Sequence, residues 1–292
     1  MPGGMAEISQ YRGVIVPMVS PFTQDGRPDA AAVGRLVDRL IAAGVHGIFV
    51  LGTTGEGASI ARQDQRELVR ATVQAVAGRA TTYAGISGNC LQESVDAGAA
   101  YRDLGIDALV AHPPFYFPIP ERDVEKYFEK LAEAVPLPLV LYNIPKTTHV
   151  SIPVDAVRRL SGHRNIAGIK DSAGDLPRLE QLMAAVGADS QFKIFVGSSS
   201  LCCAGLRLGA HGLVPSTANF APQPYVQMYD AAMQGRWDEA AALQKQADEL
   251  SARYQQGRTL GESIAALKAI LAQQGICGAT VLPPLHAIAG ES

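Results

Sequence analysis

Basic side chains are not in surplus: 25 Lys and Arg stand against 28 Asp and Glu, a formal net charge of −3. A nucleic-acid backbone calls for a concentrated positive face, so nucleic acid is not an expected partner. No uninterrupted apolar run reaches the roughly 18 residues of a spanning helix. The opening Met1-Pro2-Gly3-Gly4-Met5 also lacks the charged-then-apolar build of a secretory signal. A soluble, cytoplasmic protein without membrane association is expected. Cysteine is scarce: Cys90, Cys202, Cys203 and Cys277 form no C-x-x-C pair, which fits small buried or half-buried thiols in a reducing compartment. His46, His112, His149, His163, His211 and His286 are scattered, with no H-E-x-x-H and no cysteine in a ligand pattern, so no metal is expected. The G-x-G-x-x-G of a dinucleotide-binding sheet, the Walker A loop and the G-x-S-x-G elbow of a serine nucleophile are all missing.

Present instead are eight short apolar runs bounded by Gly or Pro, at 13–17, 47–52, 81–88, 108–113, 138–142, 166–170, 192–197 and 212–216. They are continuous rather than alternating in polarity, as parallel strands buried on both faces are, and they recur at the spacing of a βα unit. Helical patterns lie between them. Val33, Leu36, Val37, Leu40 and Ile41 share one face, with Asp29 placed to cap the start and Gly44 the end. A second helix runs from Arg62 to Ala77 and stops at Gly78, and a third carries Val124, Tyr127, Phe128, Leu131 and Ala132 and closes at Val135-Pro136.

Strand and helix alternate throughout the 292 residues, which argues for a closed (β/α)8 TIM barrel. Residues 1–221 form the expected barrel core. Residues 222–292, rich in Ala and Gln, supply the last barrel helix and a C-terminal helical extension of the same domain.

Chemistry in such a barrel belongs at the C-terminal ends of the strands. The sixth strand, Ile166-Ala167-Gly168-Ile169-Lys170-Asp171-Ser172, places Lys170 on one face with Gly168, which leaves space beside it. An amine withdrawn from water is more readily held in the neutral form that attacks a carbonyl to make a Schiff base. The other reading is a strand-end lysine that reaches solvent or pairs with Asp171. The second strand ends in Gly52-Thr53-Thr54-Gly55-Glu56-Gly57, where backbone N–H groups and two hydroxyls can converge on a carboxylate, although Gly-rich turns after strands are common. The fifth ends in Leu141-Tyr142-Asn143-Ile144-Pro145, with Tyr142 either a proton relay or a packing residue. The fourth runs into His112-Pro113-Pro114-Phe115-Tyr116-Phe117-Pro118, whose aromatics wall a pocket, form a subunit interface or cap the barrel. Ser198, Ser199 and Ser200 follow Gly197 as candidate hydroxyl-binding groups.

Taken in order, Gly52-Thr53-Thr54-Gly55-Glu56, Tyr142-Asn143-Ile144-Pro145 and Gly168-Ile169-Lys170-Asp171 resemble the dihydrodipicolinate synthase / N-acetylneuraminate lyase family of pyruvate-dependent class I aldolases. The resemblance covers nearly the whole chain. It implies that Lys170 forms the Schiff base with a 2-keto acid, that Thr53 and Thr54 hold its carboxylate, and that Tyr142 shuttles the proton. It implies a hydrogen bond from Tyr142 to Thr53 and a tyrosine given by a neighbouring subunit, matched by Tyr116, hence a homo-oligomer, usually a tetramer built as a dimer of dimers. It also places Gly197, Val214, Ser172, Ser199, Ser200 and Ser216 around the substrate. No cofactor is implied beyond the covalent Schiff base.

Departures within the family narrow the substrate. Dihydrodipicolinate synthases carry an arginine two residues past the Tyr-Asn-x-Pro proline, where this chain has Thr147. Sialic acid lyases place acidic residues where Ser199 and Ser200 stand. The segments 112–118, 197–199 and 219–222 look most like the 2-keto-3-deoxygluconate aldolases, and Ile119 replaces the arginine of members that take phosphorylated substrate. The reading is a lyase that reversibly cleaves a 2-keto-3-deoxy sugar acid, or a related hydroxylated 2-keto acid, to pyruvate and an aldehyde. The alternatives are a dehydratase or deaminase on the same Schiff base, a dihydrodipicolinate synthase, and a non-catalytic 2-keto acid binding protein. Lys146 leaves room for a second carboxylate on the substrate.

Overall fold

The structure is a computed structural model and describes residues 11–187 and 191–288; the opening Met1-Pro2-Gly3-Gly4-Met5 lies outside the described residues. Eight parallel strands close on themselves in sequence order: β1 (Gly13–Pro17), β2 (Gly47–Val50), β3 (Thr81–Gly85), β4 (Ala108–Ala111), β5 (Leu139–Asn143), β6 (Ile166–Asp171), β7 (Lys193–Val196) and β8 (Gly212–Leu213). This is the (β/α)8 barrel. All eight apolar runs are strands, most of them shorter than the runs. β2 stops at Val50 because Leu51 turns into left-handed backbone, φ +61°, which no ladder accommodates.

The crossovers are α1 (Ala30–Ala42), α2 (Arg62–Val76), α3 (Leu91–Leu104), α4 (Glu121–Ala134), a single turn α5 (Pro145–Thr148) followed by α6 (Val154–Leu160), α7 (Leu176–Val186), α8 (Cys202–Arg207) and α9 (Gln223–Met233). The Asp29 carboxylate accepts the Ala32 N–H at 2.9 Å and so caps α1. α2 ends one residue sooner than its glycine suggests: Ala77 is already left-handed, φ +48°, ahead of Gly78. Beyond α9, which packs on β1 and β8, come α10 (Trp237–Gln255) and α11 (Leu260–Gln273). α10 lies against α8 and α9, and α11 lies against α10.

Two apolar layers follow from strand alternation. Val14, Val16, Ile48 and Val50 face the helices, in the larger layer, whereas Ile15, Phe49, Val110, Val140, Phe195 and Val214 fill the barrel interior. Among the described residues no helix is long and apolar enough to cross a membrane, and no three His, Cys, Asp or Glu side chains cluster as metal ligands. Cys202, Cys203 and Cys277 are buried free thiols. Cys90 departs from the expected burial: it is exposed just ahead of α3, where no apolar layer covers it.

Candidate active site

The β5–β6 register sets Tyr142 directly beside Lys170. Both point into the barrel and both are buried. The Lys170 Nζ lies 4.0 Å from the centroid of the Tyr142 ring and 5.1 Å from that of Phe49. Room for the lysine comes from a different glycine than the sequence suggests. A Cβ on Gly168 would sit 2.3 Å from the Lys193 carbonyl oxygen, so Gly168 serves the close approach of β7. A Cβ on Gly197 would lie 3.1 Å from Lys170 Cε and 2.0 Å from Ser172 Oγ, so Gly197 is the residue that keeps space open around the amine.

Asp171 is not the partner of Lys170. Its Oδ2 accepts from Arg178 Nε and from Asn143 Nδ2, each at 2.8 Å, and its Oδ1 accepts the Ala173 N–H at 3.0 Å. Asn143 in turn accepts the Ile152 N–H at 2.9 Å, so this network fixes the loops after β5 and β6 and takes no part in holding Lys170.

The Tyr142 hydroxyl and Thr53 Oγ1 are 3.3 Å apart. His112 packs edge-on near the Tyr142 ring, with its Nδ1 2.8 Å from the Pro113 carbonyl oxygen. Burial pushes the imidazole pKa down from its ordinary value, against the hydrogen bond to the Pro113 carbonyl. The turn 52–57 is tightly built. A Cβ on Gly57 would stand 2.2 Å from the Leu51 carbonyl oxygen, and Glu56 is left-handed, φ +56°. The N–H groups of Thr53 and Thr54 donate to no described residue, which leaves them for an anion.

Two cavities open at this end of the barrel. One, of about 490 Å³, is lined by Thr53, Tyr142, Phe49, His112, Phe115 and Thr147 among others. The second, of about 280 Å³, is lined by Thr54, Ser172, Gly197, Ser198, Ser199, Ser216, Lys146, Tyr254 and Arg258 among others. Leu260 and Ile264 of α11 line both. Val214 lies below the openings, buried in the inner layer with Phe49 and Tyr142. Ser200 is brought to neither cavity: it is exposed, its Oγ 3.3 Å from Ser198 Oγ, and Ser198 lines the wall instead. Tyr116 is 73% exposed, packs edge-on against the exposed Phe117, and donates its N–H to Asn89 Oδ1 at 3.0 Å.

Sequence reasoning passed over His112 as a site residue, along with Tyr254 and Lys268. A polar residue at the mouth end of β4 marks the first. Tyr254, whose hydroxyl is 2.8 Å from Ser216 Oγ, comes from a helix with no local motif. Lys268 stands out only as the one charge inside the apolar stretch Ile264-Ala265-Ala266-Leu267-Lys268-Ala269-Ile270-Leu271.

Residues 10–292 match the dihydrodipicolinate synthetase family. The chain belongs to that family. Among its relatives, the 4-hydroxy-tetrahydrodipicolinate synthase of Ralstonia nicotianae is 35% identical over 239 residues, covering 82% of this chain and 81% of that protein. An uncharacterized DapA-like lyase of Thermofilum pendens is 35% identical over 229 residues, 78% of this chain and 76% of that one. Similar solved structures include YagE, a prophage protein of the dihydrodipicolinic acid synthase family from E. coli K12 in complex with pyruvate. It superposes with a TM-score of 0.90 at 29% identity, covering 96% of this chain and 94% of its own. The dihydrodipicolinate synthase of Bacteroides thetaiotaomicron gives a TM-score of 0.90 at 34% identity, over 95% and 93% of the two chains. Membership in the dihydrodipicolinate synthetase family makes this protein a carbon–carbon lyase of the pyruvate-dependent class I aldolase type.

Proposed function

We propose that the protein reversibly cleaves a 2-keto-3-deoxy sugar acid, or a related hydroxylated 2-keto acid, to pyruvate and a hydroxyaldehyde. Lys170 attacks the C2 carbonyl, and loss of water leaves the iminium. Thr53, Thr54 and their free N–H groups hold the carboxylate. Tyr142, left as phenolate by giving its proton to the departing water, takes the proton of the C4 hydroxyl as the C3–C4 bond breaks, the electrons of that bond pass to the enamine, and the aldehyde leaves. Tyr142 returns the proton to C3, and water hydrolyses the iminium to release pyruvate and the free lysine. The 3.3 Å contact between Tyr142 and Thr53 supports a relay fixed by the same loop that holds the carboxylate. Tyr116, exposed in this chain, is assigned to the site of a neighbouring copy in a homotetramer built as a dimer of dimers, and the protein to the cytoplasm.

The observation that carries the substrate class is the second cavity, whose wall sets the hydroxyls of Ser172, Ser198, Ser199 and Ser216 beside Lys146 and Arg258, together with Thr147 on the larger one. Hydroxyls recognise a polyol tail. A site built for a carboxylated aldehyde calls for a guanidinium at the position Thr147 occupies. One observation favours a second reading, a synthase that condenses pyruvate with such an aldehyde: the name borne by the Ralstonia nicotianae relative. The test follows pyruvate in both directions. Release of pyruvate from 2-keto-3-deoxygluconate supports the lyase. Consumption of pyruvate only in the presence of a carboxylate-bearing aldehyde supports the synthase, and elimination of water or ammonia without pyruvate release supports a dehydratase or deaminase. Ligand binding with no turnover on any substrate supports a binding protein.

A further inference from the structure

The turn that carries Thr53 and Thr54 is held from beneath by a residue 212 positions later in the chain. Lys268 Nζ donates to Glu56 Oε1 at 2.7 Å and to the Ser20 carbonyl oxygen at 2.9 Å, and both charged side chains are sealed from solvent, 0% exposed. The other oxygen of Glu56 accepts the Leu282 N–H at 2.7 Å. Ser20 closes the circuit, its hydroxyl donating to the Gly55 carbonyl at 2.6 Å. Both C-terminal donors, Lys268 on α11 and Leu282 beyond it, therefore meet one carboxylate at the end of the Gly52-Thr53-Thr54-Gly55-Glu56 turn.

Two features indicate that the pair does more than fill the core. A buried ion pair is a poor source of net stability, since apolar side chains of the same volume serve equally well or better. Glu56 is also in left-handed backbone, a conformation that costs a non-glycine residue free energy and persists only where its surroundings impose it. The Glu56 N–H donates back to the Thr53 carbonyl at 3.1 Å, so this conformation and the position of Thr53 are set together. Burial holds the Lys268 amine below its ordinary pKa, and the neighbouring Glu56 carboxylate opposes that shift.

We propose that the Lys268–Glu56 pair is a positioning device, which holds the Thr53–Thr54 turn in the shape that receives the substrate carboxylate. Neither residue touches the reacting atoms. The inference rests on the assignment of Thr53 and Thr54 as the carboxylate site.

The experiment measures the pyruvate concentration that gives half-maximal borohydride-trapped adduct, beside thermal unfolding, in the full-length protein. Lys268→Met is expected to raise that concentration about tenfold, the loss that accompanies one weakened hydrogen bond to a charged ligand. The double variant Glu56→Gln/Lys268→Met contains no unpaired buried charge. It is expected to regain most of the unfolding temperature while the pyruvate requirement stays raised. Recovery of both together, or an unchanged requirement in a folded Lys268→Met protein, would overturn the proposal. Ser20→Ala, which removes only the hydroxyl that anchors Gly55, provides the same reading should the charge variants fail to fold, with an expected rise of about threefold. Wild-type protein that traps no pyruvate at any concentration would instead remove the carboxylate site on which the proposal rests.

Discussion

The two ends of the barrel solve the same problem, unsatisfied backbone at the limits of eight strands, in different ways. At the end where strands begin, single side chains finish single strands. His46 Nδ1 accepts the Val14 N–H and His211 Nδ1 the Ile194 N–H, each at 3.1 Å, and Asp107 Oδ2 accepts both the N–H and the hydroxyl of Thr82 at 2.7 Å. At the end where strands finish, the partners are linked. Glu56, Lys268, Ser20 and Leu282 form one network, and Asp171, Arg178, Asn143 and Ile152 another, with left-handed backbone at Leu51 and Glu56. Independent caps lose one bond when broken, while a network passes a local loss to every loop that it joins. The first arrangement serves stability and the second serves geometry, in line with the division of labour between the two faces of such barrels.

The contrast is sharpest at Lys170. Lys170→Ala is expected to abolish the borohydride-trapped pyruvate adduct, read by intact mass, while the circular dichroism spectrum stays that of the wild type; an adduct in that variant would place the Schiff base elsewhere. Next in size is Glu56→Gln, which leaves the Lys268 ammonium without its counter-charge in a sealed site. Its expected cost is about 3 to 5 kcal/mol in urea unfolding, and a cost below about 1 kcal/mol would show that the pair is not load-sharing. Asp107→Ala at the opposite end is expected to cost about 1 to 2 kcal/mol, because the buried Thr82 N–H loses its acceptor. Its half-saturating pyruvate concentration should equal that of the wild type, and a change there would erase the distinction between the two ends.

A separate effect, at the end where strands begin, concerns pH. Burial, with Lys193 nearby, pushes the His211 pKa down from 6.5 to about 4, so the folded protein holds this ring neutral while the unfolded chain takes up the proton first. Its contribution is complete above about pH 6.5 and is lost as pH falls toward 4. His211→Asn is expected to flatten the decline in the urea midpoint between pH 7 and pH 4.5, without changing pyruvate trapping.

What was legible beforehand follows the same division. The eight strands could be read because a parallel strand buried on both faces is a continuous apolar run, and α1 because Asp29 and Gly44 bracket a clear helical face. Lys170 and Tyr142 could be read because each lies at the mouth end of a strand, and Thr53 because its turn directly follows one, so position along the chain already fixes position in space. Ser200 illustrates the limit. It shares the Gly197-Ser198-Ser199-Ser200 run, but a 3-10 turn over Ser199–Leu201 carries it to the surface and leaves Ser198 on the cavity wall. Gly197 takes the part expected of Gly168 for a similar reason: which glycine makes room for an amine depends on the neighbouring strand, which no local pattern contains. The Glu56–Lys268 contact was out of reach altogether, since it joins two segments related only by how α11 lies across the finished barrel.

That contact also has a consequence in time. Ribosomes add roughly 5 to 20 residues per second, so Glu56 waits about 10 to 40 s for Lys268 to be made. Throughout that interval the strands of the barrel are being synthesised with the Glu56 carboxylate unanswered, and a chain stopped short of α11 carries every residue assigned to the reaction without the support that shapes them. On the proposed positioning role, full affinity for a substrate is therefore acquired only when α11 has been delivered.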